Sequence, residues 1–296
     1  MTSWQRTYAR RAPWLLLPAL LLLGLFVVWP LVRAAAWSLS DADLLAPERA
    51  RWAGGSNYSD LLSDPRFRQA FFNTAWFAVL IVPFQSVLAF LLALWVDRAE
   101  PAWRWLRTVF FLPVVVSMPV LAVVWTLLYQ PAQGAEMGLA NAALSAIGLE
   151  PRAWLRDPQL ALPAIAAMSV WQGVGLQMMV FLAGLQGVPR EQLEAARIDG
   201  AGALQRVWHV VLPALRNTIV FVVTVTTILA FRLFVQPYLM TRGGPEGRTL
   251  SLVQSIYETT FLQQDLGRAS AAAVLFLGWV ALLLLVQRLI GREVRA

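Results

Sequence analysis

The sequence contains no cysteine and no lysine, has a single histidine, and only 14% of its 296 residues are charged. Without cysteine there is no disulfide framework, no thiolate nucleophile and no cysteine-based zinc site. A lone histidine is likewise a poor start for a metal centre or a catalytic triad, so His209 is read as a polar residue at headgroup level. Polar surface is also in short supply. With 58% hydrophobic residues, a soluble fold could not cover itself with polar groups, and lipid is the natural solvent. The net charge of +7 rests on arginine alone. Nucleic-acid binding is the obvious reading of a basic chain, but a charge bias across a membrane accounts for it better. No nucleic-acid partner is expected.

What the chain does have is apolar length. Crossing a hydrocarbon core takes roughly 20 apolar residues per helix. Six stretches qualify, near 13–36, 70–96, 108–129, 161–185, 213–235 and 268–290. The expected fold is all-α and integral to the membrane: six transmembrane helices in one domain over residues 1–296, with no soluble domain left over. Arginines near the span ends set the orientation. If the N-terminus is cytosolic, that side carries thirteen arginines against six acids, and the other side nine against eleven. Both termini are therefore expected in the cytosol. The first span has the arginines and small residues of a signal peptide. Its apolar run from Trp14 to Val32 exceeds the roughly 7–15 residues of a signal h-region, so it is read as an uncleaved anchor.

Several segments expected on the outer side look ordered. Residues 57–73 read as a short amphipathic helix running into the second span, residues 138–149 as a small surface helix, and residues 241–250 as a Gly/Pro turn.

The most informative stretch is VPREQLEAARIDGAGALQRVWHVVLP, Val188 to Pro213. Pro189 suits a first helical turn, where its missing N–H costs nothing. A short helix is expected to about Asp199, broken by Gly200-Ala201-Gly202, which frees the backbone for a sharp turn. A second helix follows, with Leu204, Val207, Trp208, Val211 and Leu212 in an apolar stripe. Pro213 is expected to end it and open span five. Periodicity alone fits two pictures: an amphipathic hairpin in the headgroup region, or a knob that projects into a partner's groove.

Residue identities favour the second. Glu194-Ala195-Ala196, then Asp199-Gly200-Ala201, then Leu212-Pro213 resemble the cytoplasmic "EAA" loop of binding-protein-dependent ABC importer permeases. The resemblance extends to Asn57-Tyr58, Leu61-Leu62, Asp64-Pro65-Arg66-Phe67 and Asn73-Thr74 before span two. It continues with Thr241, Gly243-Gly244-Pro245 and Thr249 after span five, and with Tyr257, Phe261, Leu266-Gly267 and Ala269-Ser270-Ala271 at the start of span six. Together these are similar to the maltose, lactose and glycerol-3-phosphate type, and within it to the first of two paired permease subunits. Two departures stand out. Asn217 stands where many relatives have a second proline, and residues 37–69 are too few for the large outer domain of the maltose permease.

The resemblance implies the type I ABC importer transmembrane-domain fold in a bacterial or archaeal plasma (inner) membrane. It implies a second permease subunit, two ATP-binding subunits and an extracytoplasmic solute-binding protein as partners, beside membrane lipid. Glu194, Ala195, Ala196, Asp199, Gly200, Ala201, Leu212 and Pro213 would couple the chain to its ATPase. Glycine at 200 would keep the turn and a close backbone approach open. Nothing in the chain resembles a phosphate-cradling GxxxxGK[ST] loop, so no cofactor is expected here. ATP and magnesium would be bound by the partner ATPase.

A sugar path needs hydrogen-bonding groups, often with aromatic rings, facing a wet cavity. Gln85, Trp171, Gln172, Gln177, Arg232, Gln236 and Tyr238 are the candidates. Plainer readings stand beside them. Glutamines can bond a neighbouring helix, and Arg232 can snorkel, as Arg33 is read to do. Thr224, Thr226 and Thr227 can return their hydroxyls to their own backbone. Trp125 and Tyr129 fit an interfacial aromatic belt. The expected function is the permease subunit of an ATP-driven importer for a sugar or sugar-like solute, not an enzyme. The alternatives are the same role for a non-sugar solute such as phosphate, a polyamine or an oxyanion, and an intramembrane enzyme. The enzyme would need acids, histidines or a nucleophile clustered at membrane depth, whereas every Asp and Glu falls in a loop or at a span end.

Overall fold

A computed structural model describes residues 16–98, 100–131 and 137–293. Arg6, Arg10, Arg11 and Arg295, which entered the charge count, lie outside the described residues. The chain divides into two compact units, one formed by the chain up to Asp64 with Ile256–Trp279, the other by Pro65–Ser255 with the chain from Val280 onward.

In the first unit, α1 (Leu16–Trp37) is apolar but for Arg33, and its hydrophobic stretch has no buried residue. Arg33 stacks its guanidinium over the Trp37 ring at 4.6 Å and faces Trp29 at 6.0 Å, a cation–π anchor beyond the simple snorkelling expected. A short helix α2 (Ser56–Ser63) follows. It does not run on into the next span as the sequence suggested. Asp64 precedes Pro65, and clash with the proline ring pushes it to an extended backbone (ψ 116°), which stops the helix. The side-chain amide of Asn57 donates to the carbonyls of Ser38 and Ser40, and Arg268 pairs with Asp64.

The second unit holds α3 (Pro65–Val96), α4 (Pro101–Val115), α5 (Met118–Leu128), α6 (Leu139–Ala146), α7 (Ala161–Gln186), α8 (Arg190–Ile198), α9 (Ala203–Arg206), α10 (Arg216–Phe231) and α11 (Val235–Met240). Two helices cross from one unit to the other along the chain: α12 (Leu252–Phe261) and α13 (Leu266–Glu293). Among the described residues five helices are long and apolar enough to cross a membrane, or six if the bent pair α4–α5 is one span.

That pair corrects the sequence reading, which expected one continuous span over 108–129. The two helices meet at 100°. Val116 and Ser117 are both extended (ψ 136° and 139°), and Pro119 lies in the first turn of α5. A proline there has no N–H to continue the preceding helix, but suits the start of a new one.

The core forms where α3, α7, α10 and α4 pack. One face of α3 carries Ala70, Thr74, Ala78, Ile81, Gln85, Ala89 and Ala93, all buried at helical spacing. Mostly small side chains there let backbones approach closely, the packing that lipid-embedded helices rely on. Arg107, near the start of α4, donates to the carbonyls of Val96 (2.6 Å) and Arg98 (2.7 Å), closing the C-terminal end of α3.

Loop 241–250 is braced by its own residues and by α3. Thr241 and Thr249 share a hydroxyl hydrogen bond of 2.6 Å. Asn73 donates to the carbonyls of Gly247 and Leu250, Gln69 donates to that of Glu246, and the Leu252 N–H bonds to Thr74. The Gly244–Pro245 peptide is cis.

Candidate functional site

Two features gather the candidate residues. The first is a cavity of about 290 Å³ among α3, α5, α7, α10 and α11. Gln85, Gln172, Arg232 and Gln236 line it, joined by Ser169, Gly173, Thr226 and Met118. Its lining draws on two helix breaks. Met118 opens α5 just past the α4–α5 bend, and Arg232 caps the C-terminal end of α10 where span five interrupts itself before α11. Sequence reasoning missed Ser169, a small polar residue in an apolar run. Its hydroxyl bonds back to the Ile165 carbonyl (2.8 Å) and accepts from the Gln236 amide at 3.4 Å.

Three candidates lie elsewhere. Gln177 is only 5% exposed and donates at 2.5 Å to the Thr226 hydroxyl, while its own carbonyl oxygen has no partner among the described residues. Trp171 lines a separate apolar groove of about 650 Å³ between α3, α4 and α7. Tyr238 stacks on Phe234 at 5.2 Å between ring centroids. Thr226 and Thr227 do return their hydroxyls to their own helix, to Val222 and Val223, and each also accepts from a glutamine, Gln177 and Gln287 respectively. Trp154, Tyr129, Trp125 and Trp171 form a chain of neighbouring rings.

The second feature is the hairpin between α7 and α10. Pro189 sits just before the first turn of α8 rather than in it. At the other end Ala201 N–H bonds to the Ala196 carbonyl and Gly200 N–H to that of Arg197, the paired hydrogen bonds of a Schellman cap. Gly200 takes φ +79°, a left-handed conformation open to glycine at no steric cost. The space where its side chain would stand is empty. Within this chain, then, backbone conformation and not crowding calls for glycine. Gln205 reaches back to the Gly202 N–H, and Arg206 donates to the Ala201 carbonyl. Both bonds fix the angle between α8 and α9. Ala196, Asp199, Gly200, Ala201, Arg206 and His209 bound an open concavity of about 330 Å³. Glu194 and Ala195 lie exposed on α8.

Two expectations for this hairpin are corrected. The second helix is not one regular α-helix ended by Pro213. It passes through a π turn, Val207–Val211, then Leu212–Ala214, and breaks at Leu215. A proline inside an α-helix clashes with the carbonyl four residues earlier, and a wider turn ahead of Pro213 relieves that clash. The π turn also divides the apolar stripe. Val211 is buried at 6% exposure, whereas Leu204 and Trp208 are exposed at 70% and 62%. With Ile198 at 86%, they present large apolar side chains beside the acidic residues Glu194 and Asp199.

Comparison with known proteins matches residues 85–296 to the family model "Binding-protein-dependent transport system inner membrane component". The probable ABC transporter permease protein YurN of Bacillus subtilis is 38% identical over 266 residues, covering 88% of this chain and 89% of the relative. The sn-glycerol-3-phosphate transport system permease protein UgpA of Pectobacterium atrosepticum is 31% identical over 292 residues, 96% of each chain. Among solved structures, a bacterial ABC transporter involved in the import of the acidic polysaccharide alginate superposes with a TM-score of 0.83 at 20% identity, covering 100% of both chains. At that identity the likeness speaks to fold.

Proposed function

Because the chain belongs to the family of inner-membrane components of binding-protein-dependent transport systems, a multi-pass membrane protein, we propose that it is one of two permease subunits of an ATP-driven importer for a sugar or sugar-like solute. It contributes half of the translocation path and couples to a separate ATPase through residues 188–213. The UgpA relative, named for glycerol phosphate, and the motifs at 57–73 and 241–271 favour a carbohydrate or polyol. Six spans follow from the apolar stretches, and both termini in the cytosol from the arginine bias. A second permease chain, two ATP-binding chains and an extracytoplasmic binding protein complete the assembly. ATP and magnesium belong to the ATP-binding chains.

One observation carries the coupling role. The 188–213 hairpin is rigidly built yet exposes Ile198, Leu204 and Trp208 around a glycine turn flanked by Glu194 and Asp199. Exposed large apolar side chains on a firmly capped element mark a protein or membrane contact, and the flanking carboxylates of Glu194 and Asp199 favour a protein over lipid headgroups. A groove on the ATPase that closes with nucleotide would grip this hairpin differently in its two states. That differential grip is what shifts the permease between inward- and outward-open forms.

The test is a pull-down of the ATPase by solubilised permease carrying Glu194→Lys with Gly200→Trp. The double variant is expected to insert in the membrane and assemble with the second permease but lose the ATPase. Recovery of ATPase at wild-type levels would refute the assignment.

A further inference from the structure

Arg232 stands at the end of α10 and lines the polar cavity. The other polar groups of that wall are neutral: the amides of Gln85, Gln172 and Gln236, and the hydroxyls of Ser169 and Thr226. No carboxylate lines the cavity, and among the described residues no ion pair or side-chain hydrogen bond engages the Arg232 guanidinium.

Arginine cannot lose its proton in a protein, so this cavity holds a full positive charge. The C-terminal end of α10 offers only a partial counter-charge, roughly half an elementary charge, from its helix dipole. Arg232 is exposed, and it shares the cavity lining with Gln85 and Gln172, both well inside their helices. Cations at membrane depth pair with a partner or face water and mark solute pathways.

We infer that Arg232 is an anion-recognition residue of the translocation path, and that the solute carries an oxyanion group (phosphate, sulfonate or carboxylate) on a polyhydroxyl body. The planar guanidinium fork matches such a group through two parallel hydrogen bonds. The glutamine amides both donate and accept, which suits hydroxyl groups that do the same. A cationic solute would be repelled. The inference rests on the importer reading above and narrows it from sugars in general to acidic ones.

The complete complex, reconstituted in proteoliposomes with its ATPases and binding protein, decides the matter through ATP-driven uptake of matched probes. These are glucuronate against glucose, glycerol 3-phosphate against glycerol, and uronate oligosaccharides against neutral ones of equal length. Uptake is expected for an anionic member over its neutral counterpart. Arg232→Gln should cut that uptake at least tenfold, about 1.4 kcal/mol, while Arg232→Lys retains most of it. Uptake confined to neutral probes, no uptake of any anionic probe, or wild-type anion uptake by Arg232→Gln would each overturn the inference. So would loss of assembly with the second permease in Arg232→Gln, which would place the counter-charge on that subunit. The importer reading fails separately, on the ATPase pull-down.

Discussion

Two glycines two residues apart on α7 test how closely its neighbours pack. A methyl group added at Gly175 would run into the carbonyl oxygen of Phe110 and the Cα of Phe111, both backbone atoms of α4. Neither can rotate away, so the helices must separate. At Gly173 the added methyl meets only the amide end of Gln85, which can swing aside. Replacing glycine by alanine inside a helix gains about 0.8–1.0 kcal/mol of propensity at either position. Forcing an extra carbon into a packed interface costs about 1–3 kcal/mol. The propensity gain is common to both variants, so their difference isolates the steric cost: Gly175→Ala should be less stable than Gly173→Ala by about 1–3 kcal/mol.

Denaturant titration of the purified proteins in one detergent, followed by helical circular dichroism, measures that difference. Transport separates the two variants in the other direction. Gly173→Ala displaces Gln85 from the cavity wall, so its uptake should fall while its stability and ATPase association hold. If Gly175→Ala proved as stable as Gly173→Ala, α4 and α7 would not meet at backbone contact. The account of the core would then be wrong at its closest point.

Loop 241–250 and the proposed topology give two further predictions. Asn73→Ala removes both donors that hold the carbonyls of Gly247 and Leu250; leaving such groups unpaired costs about 1–3 kcal/mol. Trypsin should then cut at the exposed Arg242 and Arg248 faster than in the wild type, with helix content unchanged, and equal cleavage rates would show that the brace is unimportant. Because the chain has no cysteine of its own, Gln205→Cys and Glu246→Cys are clean reporters of sidedness. A membrane-impermeant maleimide should label Glu246→Cys on intact cells and Gln205→Cys only after permeabilisation; the reverse pattern would invert the topology.

The apolar stretches were legible because burial in lipid is written in composition, residue by residue. The hairpin was legible for a related reason. Its Schellman cap depends on a local glycine at a fixed distance from the helix end, and Gly200 supplies it. Direction was not legible. A hydropathy average over 108–129 sees Ser117 and Pro119 as two mild residues among apolar ones, although they turn the chain through 100°. The split of the 204–212 stripe was hidden likewise, because a π turn shifts the helical phase without changing composition. Asn73, Thr74, Thr241 and Thr249 were noticed as family-like residues, yet their work is mechanical. Thr241 and Thr249 brace the loop from within, while Asn73 and Thr74 tie it to the start of a helix more than 170 positions away in sequence, and no single-sequence pattern reports a contact at that range.

The two helix interruptions and the polar cavity are one structural fact. A helix broken in lipid leaves backbone donors and acceptors with nothing to bond, so a spanning segment can break only where protein or water covers the gap. Both breaks here border the same cavity, through Met118 on one side and Arg232, Val235 and Gln236 on the other. Each interruption also turns some of its backbone groups inward. Val116 N–H reaches the Pro113 carbonyl, Leu121 N–H that of Ser117, and Leu233 N–H that of Ala230. The segments beyond the breaks, α5 and α11, then pack against each other. Interrupted helices are the arrangement by which transporters bring side chains and helix ends to a solute at membrane depth. Arg232 owes its place to the break: in an unbroken span five it would be one residue on a continuing helical turn, whereas here its N–H closes the end of α10 on the Ile228 and Leu229 carbonyls and the residue lines the cavity wall. Ser117 and Pro119 at one break, and Arg232 and Gln236 at the other, are therefore the residues that make room for the site.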